Sequence, residues 1–468
     1  MKHLLPTFAL TALCGLGQLA SAQQPAEREV VKAFFLESLT QQQDATQSRE
    51  AFIGYIQQAP VCDKPLKLQQ LTSYQQMVWQ AWRDANSDFS AAESQLIALT
   101  PLAQGNSSQW QLPEALEPSA TMPYYWGRKG DTTEPLPLYL YLHGSGDKER
   151  EWATGLVLAQ RFADAPSIYF VPQIPNTGAY YRWWQLAKQY AWEKLLRQSL
   201  LSDAVDARHI YLLGISEGGY GSQRLASFYA DYLAAAGPMA GGEPLKNAPV
   251  ENCANIGFSF LTGADDRGFY RNILTHYTEV AFDSAQQQRP LAADGTPLFR
   301  HRVTLLPDMQ HHINYDLTTP WLKQFGRNPY PKTVLWEDFE MDGRRRQGFY
   351  NLQVLKRPSE GRTYYTLDVQ ANTLTLSVRN VAYTTTQTDE RYGIEMKFTR
   401  TYSEATGGQL RIYLCSELVD LTKPVTIVVN GREVFKDKVK PSLSAMQSSV
   451  ALFADPLRIF PAAVDVTF

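Results

Sequence analysis

The segment Gly214-Ile215-Ser216-Glu217-Gly218 is where residue types and spacing bear most directly on chemistry. The run before it, His209–Leu213 (HIYLL), reads as a strand, and Gly219–Leu233 after it reads as a helix. A serine at such a strand–turn–helix junction stands exposed at the end of a sheet, beside a helix N-terminus. Flanking glycines let strand and helix approach closely. The next backbone N–H, that of Glu217, can then donate to an oxyanion. Ser216 is the candidate nucleophile of an acyl transfer, provided that a base takes its proton.

The chain has seven histidines, so the base can be sought by elimination. His3 lies at the start, His143 and His209 precede the serine, His276 falls in a predicted helix and His301 in a predicted strand. His311 and His312 remain, in the loop after the predicted strand Phe299–Leu306, and the residues alone leave both open. A carboxylate must fix the tautomer of the base, and the chain order Ser, acid, His suits this arrangement. Thr262-Gly263-Ala264-Asp265-Asp266 offers Asp265 and Asp266, with Asp266 three residues after the glycine, the more usual spacing. Asp308 and Asp316 are weaker candidates because they flank the histidines. A second oxyanion donor is expected after an early strand, and His143-Gly144-Ser145-Gly146 fits. The Ser145 N–H is the first choice there and Gly146 the alternative, with His143 read as a structural hydrogen-bonding residue. Tyr181, Trp183 and Trp184 could line a cleft for a sugar or phenolic group, or pack a helix onto the sheet. Nothing calls for a metal or organic cofactor: adjacent histidines seldom ligate one ion, and the cysteines are widely spaced.

These residues need a scaffold, and the surrounding texture predicts one. Strands are expected at Leu138–Leu142, Ser167–Val171, His209–Leu213, Ile256–Leu261 and Phe299–Leu306. Helices are expected at Arg182–Leu201, Gly219–Leu233 and Phe269–Gln288. Strands alternating with helices imply an α/β core with a mainly parallel sheet. Residues 23–110 read as a helical region and 111–330 as the core. Residues 331–468 read as a β-rich accessory domain, all-β and sandwich-like. Its short runs include Tyr364–Val369, Thr373–Val378, Gln409–Leu414, Val425–Val429 and Glu433–Lys436, and Asn430-Gly431 signals a hairpin.

Composition narrows the function classes. The 468 residues carry a formal net charge of −3, which argues against nucleic-acid partners. Lys2, the apolar run Leu4–Leu19 and Ala20-Ser21-Ala22 read as a signal peptide over 1–22, implying periplasmic or secreted protein. No later run is long enough to span a membrane. Cys62, Cys253 and Cys415 allow one disulfide but do not choose the pair. Arg344-Arg345-Arg346 reads as a solvated loop.

Residues 135–320 resemble exported bacterial esterases of the poly(3-hydroxybutyrate) depolymerase and feruloyl esterase-like branch of the α/β-hydrolases. The pieces that carry this are LYLYLHGSG (138–146), VDARHIYLLGISEGGYGSQRLA (205–226), LTGADD (261–266) and PDMQHH (307–312). The resemblance implies Ser216, Asp266 and His311 as a triad, with N–H donors from Ser145 and Glu217. It departs from the family where Met309-Gln310 replaces a Gly-x-Gly turn, and where Glu217 stands in place of a more usual apolar residue. The implied activity is hydrolysis of carboxylic esters, either small molecules or feruloyl and acetyl groups on polysaccharide. A serine peptidase of the prolyl-oligopeptidase-like type is an alternative, although 23–110 is too short for the propeller those enzymes carry. A non-catalytic glycan-binding protein is another, with Tyr364, Tyr365 or Tyr383 as contacts.

Overall fold

A computed structural model describes residues 9–55 and 63–468, with side chains from Pro25 onward. The expected leader, Cys14 and Cys62 lie outside the described side chains. The first helices are α1 (Ala9–Ala45), α2 (Arg49–Gly54) and α3 (Leu71–Phe89). Val31, Phe35, Val78 and Trp82 mesh the inner faces of α1 and α3.

The core sheet contains β1 (Ser107–Gln111), β2 (Thr121–Lys129), β3 (Leu136–Leu142), β4 (Ser167–Pro172), β5 (Val205–Ile215), β6 (Ala235–Met239), β7 (Gly257–Gly263) and β8 (His301–Leu306). Their spatial order is β1-β2-β4-β3-β5-β6-β7-β8. β2 is antiparallel to both neighbours, and β3 to β8 run parallel. Crossovers and flanks are made by α4 (Lys148–Arg161), α5 (Leu186–Leu200), α6 (Glu217–Tyr229), α7 (Arg271–Gln288) and α8 (Thr318–Leu322). The two-residue period of a strand sorts the side chains. Leu138, Leu142, Ile210 and Leu212 face one core, while Tyr139, Tyr141, Tyr211 and Leu213 face the other. On that second face Tyr139 stacks on Tyr169 at 5.1 Å and meets Tyr211 at 4.7 Å, tying three adjacent strands together.

The remaining chain forms β9 (Thr333–Asp338), β10 (Gly348–Phe349), β11 (Leu352–Lys356), β12 (Arg362–Gln370), β13 (Thr373–Thr388), β14 (Glu395–Glu404), β15 (Gln409–Leu414), β16 (Val425–Val429), β17 (Arg432–Asp437), α9 (Leu443–Phe453) and β18 (Ala462–Thr467). One sheet has the order β10-β11-β15-β18 and the other β17-β16-β13-β12-β9, with β14 paired to β13. Trp336 of β9 stacks on Phe349 of β10 at 5.4 Å and on Tyr365 of β12 at 5.1 Å, which joins the two sheets. Asn430 (φ 48°) and Gly431 (φ 80°) make the expected hairpin turn between β16 and β17.

Four expectations are corrected here. The region after 331 is not all-β, because α9 inserts Leu443, Met446 and Val450 into the α1–α3 core. Residues 23–110 are not uniformly helical, because β1 already pairs with β2 from Ser107. Tyr364 and Tyr365 are buried, and the Tyr383 ring is packed by Phe398 at 5.1 Å and by the Arg362 guanidinium at 4.8 Å, so none presents a free ring for glycan. The arginine run is not a solvated loop. Arg344 pairs with Glu193 at 2.6 Å and Arg346 with Asp231 at 2.9 Å, both largely buried. Cys253 and Cys415 are buried thiols, not bonded to each other.

The basic run belongs to a charge cluster that locks the last 140 or so residues onto the core. Asp231, just past α6, receives Arg346 and also Arg458 at 2.6 Å. Asp455 receives Arg458 at 2.7 Å and Arg327. Burial pushes the Asp231 carboxyl up, and Arg346 and Arg458 more than offset this, leaving it below the usual carboxylate range. Because Asp231, Asp455 and Arg458 have no solvent exposure, removing one member leaves others under-compensated. Arg458→Met is expected to cost about 3–5 kcal/mol, read as a lower urea midpoint.

Candidate active site

Ser216 joins the end of β5 to the start of α6 with φ 57° and ψ −114°, a conformation that is strained for any residue with a Cβ. Three glycines make it possible. A Cβ on Gly214 would overlap the Gly218 carbonyl, one on Gly218 would overlap the Leu142 carbonyl, and one on Gly219 would overlap the Met239 carbonyl. The turn is held by Ser216 N–H donating to Met239 O at 2.9 Å and Tyr220 N–H donating to Ser216 O at 3.0 Å. The serine hydroxyl thus stands at the positive end of the α6 dipole.

Asp266, His311 and Ser216 come together as one hydrogen-bonded relay. His311 Nδ1 lies 2.7 Å from Asp266 Oδ2, and His311 Nε2 lies 3.0 Å from Ser216 Oγ. If Nδ1 carries the proton toward the carboxylate, Nε2 is left to accept from the hydroxyl. The two supporting loops are locked to each other. Asp265 N–H donates to Met309 O at 2.9 Å, and a Cβ on Gly263 would overlap the Met309 and Gln310 carbonyls. Met309-Gln310, where glycines are usual, therefore packs against a glycine on the opposite loop. His312 is exposed, its ring centroid 6.2 Å from that of His311, and Asp265 points outward to Arg267. Asp308 is exposed, and Asp316 pairs with Arg161.

The loop after β3 is positioned by the buried His143. Its Nε2 accepts from the Ile174 N–H at 3.0 Å, so Nδ1 is the donor, to Gly144 O at 2.8 Å. Burial lowers the His143 imidazole to about 4, the Gly144 hydrogen bond opposing this, so the ring is neutral. Tyr181 O–H also donates to Gly144 O. In a trans peptide the N–H points opposite the C=O, so pinning the Gly144 carbonyl fixes the direction of the Ser145 N–H. Gly144 itself sits against Ser216, where an added Cβ would lie 3.3 Å from the serine Cβ. Among the described residues, neither the Ser145 nor the Glu217 N–H has a hydrogen-bond acceptor.

The aromatic segment divides in a way the sequence did not reveal. Trp183 is fully buried: its indole donates to His143 O at 3.1 Å and its ring packs where a Cβ on Gly221 would clash. Tyr181 is spent on Gly144. Both hold the site's loop, so for these two the packing alternative holds and the cleft alternative does not. Trp184 alone is only partly buried, packing against the core with the Arg224 guanidinium 3.9 Å above its ring.

Sequence reasoning missed Arg271, which bonds the second Asp266 oxygen at 3.1 Å. It stands five residues after Asp266, at the start of α7, a spacing that carries no recognisable motif. It also missed the β13–β14 hairpin, whose tip reaches the loop after Asp266. Tyr270 O–H donates to Asp389 at 2.6 Å, and Phe269 packs on Tyr392 at 4.5 Å. Phe269 (φ 51°) and Tyr270 (φ 57°) both occupy the left-handed region, and the hairpin contacts stabilise them there.

Glu217 is the electrostatic anomaly. Burial pushes its carboxyl up to about 7; Glu243 adds to the rise, and Arg182, Arg224 and Arg271 oppose it. In the unfolded chain the group ionises near the ordinary value, so the native state holds the extra proton between about 4.5 and 7. Stability contributed by this group therefore falls as pH rises through that window, and the penalty is complete above it. Glu217→Gln is expected to raise the thermal midpoint more at pH 8 than at pH 5.

No family model and no curated protein matches the chain. Similar solved structures include a thermostable esterase, 20% identical with a TM-score of 0.35 over 47% of this chain and 63% of that one. The chain thus spans less than two thirds of that esterase's length. LpqC, a poly(3-hydroxybutyrate) depolymerase from Bordetella parapertussis, is 16% identical with a TM-score of 0.34 over 44% of this chain and 84% of its own. Est1E from Butyrivibrio proteoclasticus, with bound ferulic acid, is 15% identical with a TM-score of 0.31 over 44% and 93%. Likenesses at this level do not extend to substrate or mechanism.

Proposed function

We propose that this chain is a serine hydrolase of the α/β-hydrolase type that cleaves carboxylic esters, exported by its N-terminal leader. The observation that carries the reading is the Asp266–His311–Ser216 relay at 2.7 and 3.0 Å, ending on a hydroxyl at a helix N-terminus. In the first step His311 Nε2 takes the Ser216 proton as Oγ attacks the ester carbonyl, forming the tetrahedral adduct. The Ser145 and Glu217 N–H groups receive the oxyanion, and their want of an acceptor supports that role. The imidazolium then gives its proton to the departing alcohol, leaving an acyl group on Ser216. Water, deprotonated by His311, attacks the acyl carbon, and the acid leaves as Oγ recovers its proton. Asp266 keeps the imidazole oriented throughout, with Arg271 holding its other oxygen. The 36% exposure of the His311 side chain leaves the relay reachable from solvent, as an ester substrate requires.

Kinetics with p-nitrophenyl acetate test the reading. Ser216→Ala is expected to lower kcat by on the order of 10⁴-fold or more, to the residual level left by binding and oxyanion contacts. Asp266→Asn is expected to lose about 10³–10⁴-fold through the wrong tautomer while folding normally. Wild-type turnover that survives Ser216→Ala contradicts the proposal.

A further inference from the structure

A cavity of about 490 Å³ opens where α1, the segment after α3, the link between β1 and β2, and α5 meet. That is the size of a small-molecule site. A second cavity of about 110 Å³ shares Gln43, Glu93, Tyr190 and Lys194 with it. Neither is lined by Ser216, Asp266 or His311. Lys194 faces both spaces, yet its side chain is only 2% exposed. Its ammonium lies 4.6 Å over the Trp110 ring and makes no hydrogen bond among the described residues. The nearest carboxylate, Glu93, stands 4.0 Å away. Glu93 is already engaged: Oε1 accepts from the Tyr190 hydroxyl at 3.2 Å, and Oε2 from the Arg197 guanidinium and the Gln198 amide. An ammonium carries three donors, and a buried one without acceptors is costly.

The surroundings select the chemistry of a partner. Lys194, Arg197 and Glu93 are all buried, two cations against one carboxylate, which leaves one positive charge in excess. The other cations on the walls are paired, Arg344 with Glu193 and Arg346 with Asp231, and Glu114 at the rim is exposed. Burial lowers the Lys194 amine to about 8, with Glu93 opposing the fall and Arg197 adding to it, so the group is charged at neutral pH. Water satisfies the donors of such a group but not its charge. A cation would be repelled, and a dianion would exceed the excess charge and meet Glu93. One negative charge fits. The outer cavity then offers the amides of Gln43, Gln47 and Gln111 beside the apolar Leu112 and Pro113, a lining suited to the body of an organic molecule. We propose that Lys194 anchors a second binding site, separate from the relay, for a small organic monocarboxylate whose carboxylate meets the ammonium. The site does not depend on the hydrolase reading.

Calorimetric titration of the full chain with sodium benzoate tests it, beside benzamide as the neutral counterpart and sulfate as a divalent anion. Benzoate is expected to bind once per chain and to raise the thermal midpoint, because it binds the folded state alone. Benzamide and sulfate are each expected to bind about tenfold or more weakly than benzoate. Lys194→Met is expected to weaken benzoate about tenfold or more, with circular dichroism confirming its fold. Gln43→Trp, which leaves the ammonium in place and fills the space where the two cavities meet, is expected to do the same. No benzoate binding to the wild type overturns the site. So does benzamide or sulfate binding as tightly as benzoate, or benzoate affinity within about twofold of wild type in both variants.

Discussion

The backbone turn at Ser216 is the constraint from which the rest of the site follows. A residue with a Cβ held at φ 57° and ψ −114° costs about 1–3 kcal/mol, and the surrounding structure must over-determine it. Here β3, β5 and β6 converge on the first turn of α6 so closely that Gly214, Gly218 and Gly219 have no room for side chains. The hydroxyl is therefore presented by main-chain packing, not by rotamer choice. The same convergence brings the β3 loop against Ser216, so the free Ser145 and Glu217 N–H groups share one neighbourhood.

Around this turn the protein spends buried residues on orientation. His143, Tyr181 and Trp183 all bond the Gly144 region, and none is free to act on a substrate. Arg271 holds Asp266, Phe269 lies 5.1 Å beneath that guanidinium, and Tyr392 of the hairpin packs on Phe269. The strands after 332 thus support the carboxylate loop directly. They also share the core through Phe339, which packs on Phe228 of α6 at 5.6 Å, and through the Asp231–Arg346–Arg458 cluster. The helix that Ser216 caps is consequently braced at both ends, by the sheet at one and by the C-terminal region at the other.

Much of this was legible in the sequence wherever a local pattern had a local cause. HIYLL, LYLYL and SIYFV carry β-branched and aromatic residues and became strands; Gly-x-Ser-x-Gly marked the turn; the acid and histidine loops followed their strands. β6 was invisible because its sequence, Ala-Ala-Gly-Pro-Met, has little strand preference of its own. It exists because β5 and β7 pair with it in a fully buried slot. α4, with Lys-Glu-Arg-Glu at its start, was missed because its apolar contacts, Leu156, Leu158 and Ala159, form a short and irregular stripe. The arginine run looked solvated because its counter-charges, Glu193 and Asp231, are more than a hundred residues away. The fates of Trp183 and Tyr181 were equally non-local, since only the folded loop creates the carbonyls they bond.

The central claim is that Ser216 is a nucleophile activated by its surroundings. Treatment of the folded protein with a fluorophosphonate, followed by intact-mass measurement and peptide mapping, tests it most directly. The account predicts one adduct per chain, on the peptide containing Ser216, and none in Ser216→Ala. A folded chain that takes up no adduct, or takes it up at another residue, would contradict it.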